Sequence, residues 1–459
     1  MIKSVLSCFA AVILIGVSVS AQNFKQEISL SGLGDQSATA RPFGIAYNPA
    51  TQLVYVSIAG SFGANNNAVA VIDPSSDTVV ATMLVGLYPE DIAFDPATGS
   101  GAVTNSTSGS ISFFNMSHMV TSTLQLPDPF GIGSCYPFGI THVNGYYYVG
   151  TVDGSGEVYA IDAATNTLAP SMGFSTNYRS LGRMTSTANG SLLATTTAYN
   201  ATWSGSTGGV FAYDLASSSA GRQTNFLRQD NLGTYPSASD FTFANGNTFM
   251  AGIDFDGLLY IVNEDGTPAR AIPTNGHSGY GLATSEEGSL IAMCDLSAGA
   301  VVFFDAINEE YVSEVGFSGM ANDAVFANGK LYVTDQSNER VMVYDQLPTF
   351  TDRNEHDGTL ILNNSAPSLG DAVGVTVLGN VGHPVWLVGA STAGATTFNG
   401  INFAIGPNLF SYGTNSTTFY MGRNVPNNLA LSGRHFYMQG AVSDGSVIRT
   451  TQPAVLIIQ

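Results

Sequence analysis

The chain has 459 residues, with 14 Lys or Arg against 34 Asp or Glu and a formal charge of −20. Only 10% of residues are charged, against about 25% in an average soluble domain, while 44% are hydrophobic, so global disorder is ruled out. The acidic balance, with lysine present only as Lys3, Lys25 and Lys330, argues against nucleic acid and anionic membrane surfaces as partners, because both select clustered cations.

In chain order, residues 1–21 read as a secretory signal peptide. Lys3 supplies the positive start and Val12 to Val19 most of a short apolar stretch, and Val19, Ser20 and Ala21 are small residues ahead of a cut before Gln22. No later run reaches the roughly 18 apolar residues of a membrane span. The mature protein is therefore expected to be secreted, periplasmic or at the cell surface, and monomeric. Cys8 leaves with the signal; Cys135 and Cys294 belong to no CxxC or Cys/His cluster, and two separate buried thiols without zinc are expected.

Internal repetition organises the chain beyond this leader. RPFGIAYNP at 41–49 recurs as YPEDIAFDP at 88–96 and as YPFGIT at 136–141. Each copy precedes a β-rich run (53–57, 101–105, 146–151) and a further run ending in Asp73, Asn115 or Asp162. Degenerate copies end in Asp214, Asn263, Asp305 and Asp345. The shared first-strand position is Gly44, Asp91, Gly139, Arg183, Asp240, Gly281 and Asp323, at spacings of 41 to 57 residues, the period of a four-stranded propeller blade. The fold class expected is all-β: a seven-bladed β-propeller over residues 22–351 followed by a small β-sandwich over 352–459.

The seventh copy lacks an outer strand, because QLPTFTD follows Asp345 and is short and proline-interrupted. FKQEISLSGL at 24–33 resembles the outer-strand sequences TVVATMLVGL at 78–87 and YVSEVGFSGM at 311–320. Residues 24–31 are therefore predicted to supply the missing strand and close the ring without leaving exposed sheet edges.

LVYVS at 53–57, VAVID at 69–73 and TVVAT at 78–82 resemble the YVTN-type repeat of secreted seven-bladed propellers, and NGKLYVTDQSNERVMVYD at 328–345 is similar to an NHL repeat. The resemblance covers about two-thirds of the chain and implies propeller architecture while leaving chemistry open, since such folds serve binding proteins and enzymes alike. Beyond a polar connector at 352–358, seven β-like segments separated by Gly, Asn and Pro suit a sandwich, resembling C-terminal modules of exported bacterial repeat proteins. Trp386 falls mid-strand, where a core role is expected.

First strands line a propeller's central channel, so Asp91, Asp240 and Asp323 are expected there, with Glu90 and Asn322 beside them. Converging Asp and Asn oxygens suit a hard cation such as Ca²⁺, and the Asn322–Asp323 pair resembles that of metal-dependent lactonase propellers, although the remaining ligand pattern of that family is missing. The competing reading has these carboxylates capping turns or pairing with Arg41 and Arg183. Arg41, Glu90 and Arg183 are the candidate ligand-binding residues, the two arginines being suited to clamp an anion. The Asp or Asn that ends each third strand is assigned to turn formation, and His142 and His277 to core or surface roles. Two functions compete: a non-catalytic binding or surface-interaction module for an extracellular protein, glycan or small molecule, and a calcium-type hydrolase centred on Asp91, Asp240, Asn322 and Asp323.

Overall fold

The computed structural model describes residues 24–35, 37–61, 63–176, 180–187, 191–199, 206–215, 223–224, 238–252, 257–263, 266, 268–274, 276–316, 319–345 and 347–348, together with nine strands between 359 and 457. The expected leader at 1–21 and the connector at 352–358 lie outside these residues.

Seven antiparallel sheets follow one another along the chain. Blade 1 runs outward through Pro42–Asn48, Leu53–Ser61, Ala64–Asp73 and Thr78–Leu84. The innermost strands of blades 2 to 7 are Pro89–Phe94, Pro137–Val143, Ser180–Ser186, Ala238–Ala244, Leu282–Thr284 and Ala321–Ala327. The molecule is thus an all-β, seven-bladed propeller.

Burial follows strand position. Every residue of Gly101–Asn105 and Ser110–Phe114 is buried, because middle strands are covered on both faces by neighbouring blades. The outer Val120–Gln125 is almost wholly exposed. Between blades the core is aromatic and aliphatic: Tyr55 of blade 1 stacks on Phe114 of blade 2 with ring centroids 5.6 Å apart. Cys135 and Cys294 are free and buried, and burial pushes the Cys135 thiol up to about 12.

The two ends of the propeller meet in blade 7. Phe24–Ser29 pairs antiparallel with Arg340–Tyr344, placing Ile28 opposite Val341. Ile28 and Leu30 are buried in one cluster with Val341 and Val343 of blade 7 and Val54 and Val56 of blade 1. Polar contacts reinforce this seam. Gln26 Nε2 donates to Asp77 O at 2.7 Å, and Lys330 Nζ lies 2.8 Å from both Asp77 carboxylate oxygens and 2.6 Å from Pro74 O. Arg340 Nε donates to Asp335 at 2.8 Å, and its Nη1 pairs with Glu27.

Nine strands are described in the C-terminal part, two more than the sequence pattern suggests: Ala393–Phe398 and Phe410–Thr414 are the additions. They pair in sheets of three, four and two strands. Both extra strands are short and rich in Gly, Thr or Ser, so the alternation that would reveal them is weak.

Removing residues 22–31 should destabilise the whole propeller. Ile28 and Leu30 alone contribute about 1.5–3 kcal/mol each through burial, and the deletion also exposes the edge Arg340–Tyr344. Thermal unfolding of the truncated chain checks this; an unchanged melting temperature would contradict it.

Candidate functional site

The channel wall is built from one repeated irregularity. In six blades the register between the first and second strands shifts at the same place: between Pro42 and Ile45, Pro89 and Ile92, Pro137 and Ile140, Leu181 and Met184, Ala238 and Asp240, and Ala321 and Ala324. A bulge releases residues from the ladder and re-aims their side chains. Two rings result. One holds Gly44, Asp91, Gly139, Arg183, Asp240, Gly281 and Asp323; the other holds the preceding residues, Phe43, Glu90, Phe138, Gly182, Ser239, Tyr280 and Asn322.

Second-strand hydroxyls fill the bulges. Ser57 Oγ accepts from Gly44 N at 2.8 Å and donates to Glu90 O of the next blade at 2.6 Å. Thr104 Oγ1 accepts from Asp91 N at 3.0 Å and donates to Phe138 O at 2.7 Å. Thr334 Oγ1 accepts from Asp323 N at 2.9 Å, and Phe43 O across the seam takes a 2.6 Å hydrogen bond from Asn322 Nδ2.

The aspartates link blades by a second route. Asp91 accepts from Ile92 N on its own strand and, through Oδ2, from Ile140 N of the next at 3.0 Å. Asp240 does the same with Phe241 N and Leu282 N, and Asp323 with Ala324 N and Ile45 N. Where the ring carries glycine instead, the next blade comes too close for a side chain: a Cβ on Gly44 would collide with Glu90 O, and one on Gly139 with Gly182 O.

Arg183 crosses the axis. From blade 4 its Nη1 donates to Asp91 of blade 2 at 2.7 Å and its Nη2 to Asp323 of blade 7 at 2.8 Å, while its guanidinium carbon lies 5.8 Å from the Phe43 ring centre. Arg183 is 7% exposed. Burial opposes its charge, but Asp323, Asp91 and Asp240 outweigh that and hold its pKa well above the usual arginine range. Burial also raises the pKa of Asp240 and of Asp323, with Arg183 opposing both shifts.

Asp91, Asp240, Asn322, Asp323, Glu90 and Arg183 therefore all line the channel. Arg41 does not join Arg183: it is exposed, at the rim, where its charge acts on Tyr88. The carboxylates fit a hard cation poorly, because their oxygens are spent on backbone amides and two of the three face a guanidinium. Among the described residues no group of three or more His, Cys, Asp or Glu is arranged to hold a metal ion.

Glu90 behaves differently from the aspartates. It is 4% exposed, takes a side-chain hydrogen bond from Ser106, and its Oε2 has no hydrogen-bond partner. Burial raises its pKa well above the carboxylate range, Arg183 opposing. Tyr88, Phe138 and Tyr280 around it are half-buried. Tyr88 enters blade 2 with a φ of 57°, a conformation that bulky residues rarely adopt and that the following Pro89 disfavours further.

No protein-family model matches the sequence, and no curated protein matches it either. Solved structures do match in fold. Kuenenia stuttgartiensis hydrazine synthase is 14% identical with a TM-score of 0.55, covering 70% of this chain and 98% of that one. The β-propeller domain of Myceliophteria thermophila Cps50 (Swd1) is 9% identical with a TM-score of 0.51, covering 71% and 99%. Identities this low establish the class of fold, a β-propeller, and nothing about ligand.

At Asp73, Asp162 and Asp305 the turn assignment agrees with the structure: Asp73 Oδ1 accepts from Ser75 N at 2.8 Å, Asp162 Oδ1 from Ala164 N at 2.9 Å, and Asp305 Oδ1 from Ile307 N at 2.8 Å. His277 goes beyond its expected role. Its Nδ1 lies 2.9 Å from Asp295 and its Nε2 2.7 Å from Glu314, and these hydrogen bonds, Asp295 first, raise it to about 9. The three residues lie on separate segments, so spacing alone could not unite them. Phe138 and Tyr280 carried a usable signal, since each sits one residue before the repeat's marked position.

Replacing Arg183 by Leu should cost ~3–5 kcal/mol, because two buried carboxylates lose their counter-charge. Adding Asp91→Asn and Asp323→Asn to that variant should recover most of the loss in urea unfolding; an equal loss in single and triple variants would assign Arg183 to packing alone. His277 has its folded pKa raised, so its stabilisation is complete below about pH 6.5 and is lost as pH rises through about 9. With Glu314 partly exposed the effect is on the order of 2 kcal/mol. His277→Gln should flatten that part of the stability–pH profile, and an unchanged profile would refute the assignment.

Proposed function

We propose that this chain is an exported, non-catalytic propeller of the YVTN/NHL type that works as a binding module, with residues 1–21 as its signal and 352–459 as a C-terminal β-sandwich. The observation that carries this reading is the division of labour in the channel. Asp91, Asp240, Asp323 and Arg183 are consumed by inter-blade bonds, which gives a rigid floor. Above it Glu90 keeps an unpartnered oxygen within a partly exposed aromatic ring.

The loops leading into the innermost strands of blades 2, 3 and 7 expose Leu87, Phe130, Ile132 and Met320. Phe130 and Ile132 are 49% and 55% exposed and share the loop before Tyr136. Apolar side chains gathered on one face in this way support an interaction surface for an extracellular partner.

The calcium-type hydrolase is separated from this reading by one measurement. Ca²⁺ in excess is expected to leave the melting temperature unchanged in both the wild type and Asp323→Ala. A rise in the wild type that Asp323→Ala abolishes would instead establish a bound cation at the channel floor.

A further inference from the structure

From the placement of Glu90 we infer that the channel mouth takes an organic ammonium group, held by the Glu90 carboxyl and walled by Tyr88, Phe138 and Tyr280. This deepens the binding-module reading and rests on it.

Glu90 holds blade 2's place in the ring whose occupants in blades 1 and 3, Phe43 and Phe138, meet edge to face with ring centres 5.7 Å apart. Its Oε2 is buried without a hydrogen-bond partner, and a buried acceptor left unsatisfied costs roughly 1–3 kcal/mol. A ligand donor would remove that cost.

Charge selects the kind of donor. Among the described channel residues the one guanidinium, Arg183, already donates to Asp91 and Asp323, so an incoming anion finds no uncommitted counter-charge there. The aromatic walls act in the same sense, since ring faces attract ammonium groups. Phe43, 5.7 Å from Phe138 and 6.5 Å from Tyr88, packs these walls together and itself lies under the Arg183 guanidinium. The chain's charge of −20 adds long-range attraction for cations.

Binding has a proton balance. The groups facing Glu90 are Arg183, Asp91, Tyr88, Tyr280 and Ser106, and burial shifts the carboxyl toward its protonated form. An incoming ammonium donates an N–H to the carboxylate, and the carboxyl proton leaves to the buffer.

Calorimetric titration of the full chain with n-butylammonium tests the inference, with 1-butanol and butyrate as neutral and anionic counterparts. Saturable binding of butylammonium alone is expected, with a heat that varies with the buffer's ionisation enthalpy. Glu90→Gln should weaken it at least about tenfold and abolish the buffer dependence, its melting curve showing that it remains folded. A terminally blocked Gly-Lys-Gly peptide distinguishes sources: tighter binding than butylammonium assigns the cation to a protein side chain, and equal binding assigns it to a small amine. Full affinity in Glu90→Gln overturns the inference. Binding of butyrate dependent on Arg183 overturns the ligand class while leaving a channel binding site, and no response to any probe overturns both.

Discussion

A single guanidinium crosses the axis of the ring and ties blade 4 to blades 2 and 7 at once. Arg183 meets Asp91 and Asp323 at 2.7 and 2.8 Å in a place with little water, where each group alone would be strongly disfavoured and the three together compensate one another. The same aspartates hold backbone amides of the next blade, so the charge network and the inter-blade ladder are one structure. It fixes the channel floor and leaves Glu90, one residue away from Asp91, with one carboxyl oxygen, Oε2, unpartnered.

Two other described cations are placed with similar economy. Lys330 joins the seventh blade to Asp77 of the first, and Arg340 binds Glu27 of the N-terminal strand together with Asp335 of its own blade. In a chain with 14 Lys and Arg, cations recur where segments far apart in sequence must be joined. Local hydrogen bonding from Ser, Thr, Asn and Asp serves elsewhere, as in the turns after Asp73 and Asp305.

Legibility in the sequence tracked how local each interaction is. Turn residues such as Asp162 bind amides two or three positions away, so a repeated letter was sufficient to assign them. The marked first-strand position was equally visible, and its occupants do reach the channel. Their partners were not visible: Arg41 and Arg183 looked equivalent, yet one stands exposed at the rim and the other spans the axis. Arg41 precedes the bulge of blade 1, whereas Arg183 lies within that of blade 4. The clamp of His277 between Asp295 and Glu314 joins three segments with no shared pattern, and nothing in the spacing could have disclosed it.

What the sequence determined by itself is the architecture: seven repeats, their strand order, their turns, and a spare strand whose pattern matched the outer position of other blades. These depend on periodicity and backbone conformation, which nearby residues decide. The tertiary structure alone decided the electrostatics of the channel. Whether an aspartate is a metal ligand, a link between blades or the counter-ion of an arginine depends on which groups converge from blades scores of residues apart, and that convergence exists only once the ring is closed.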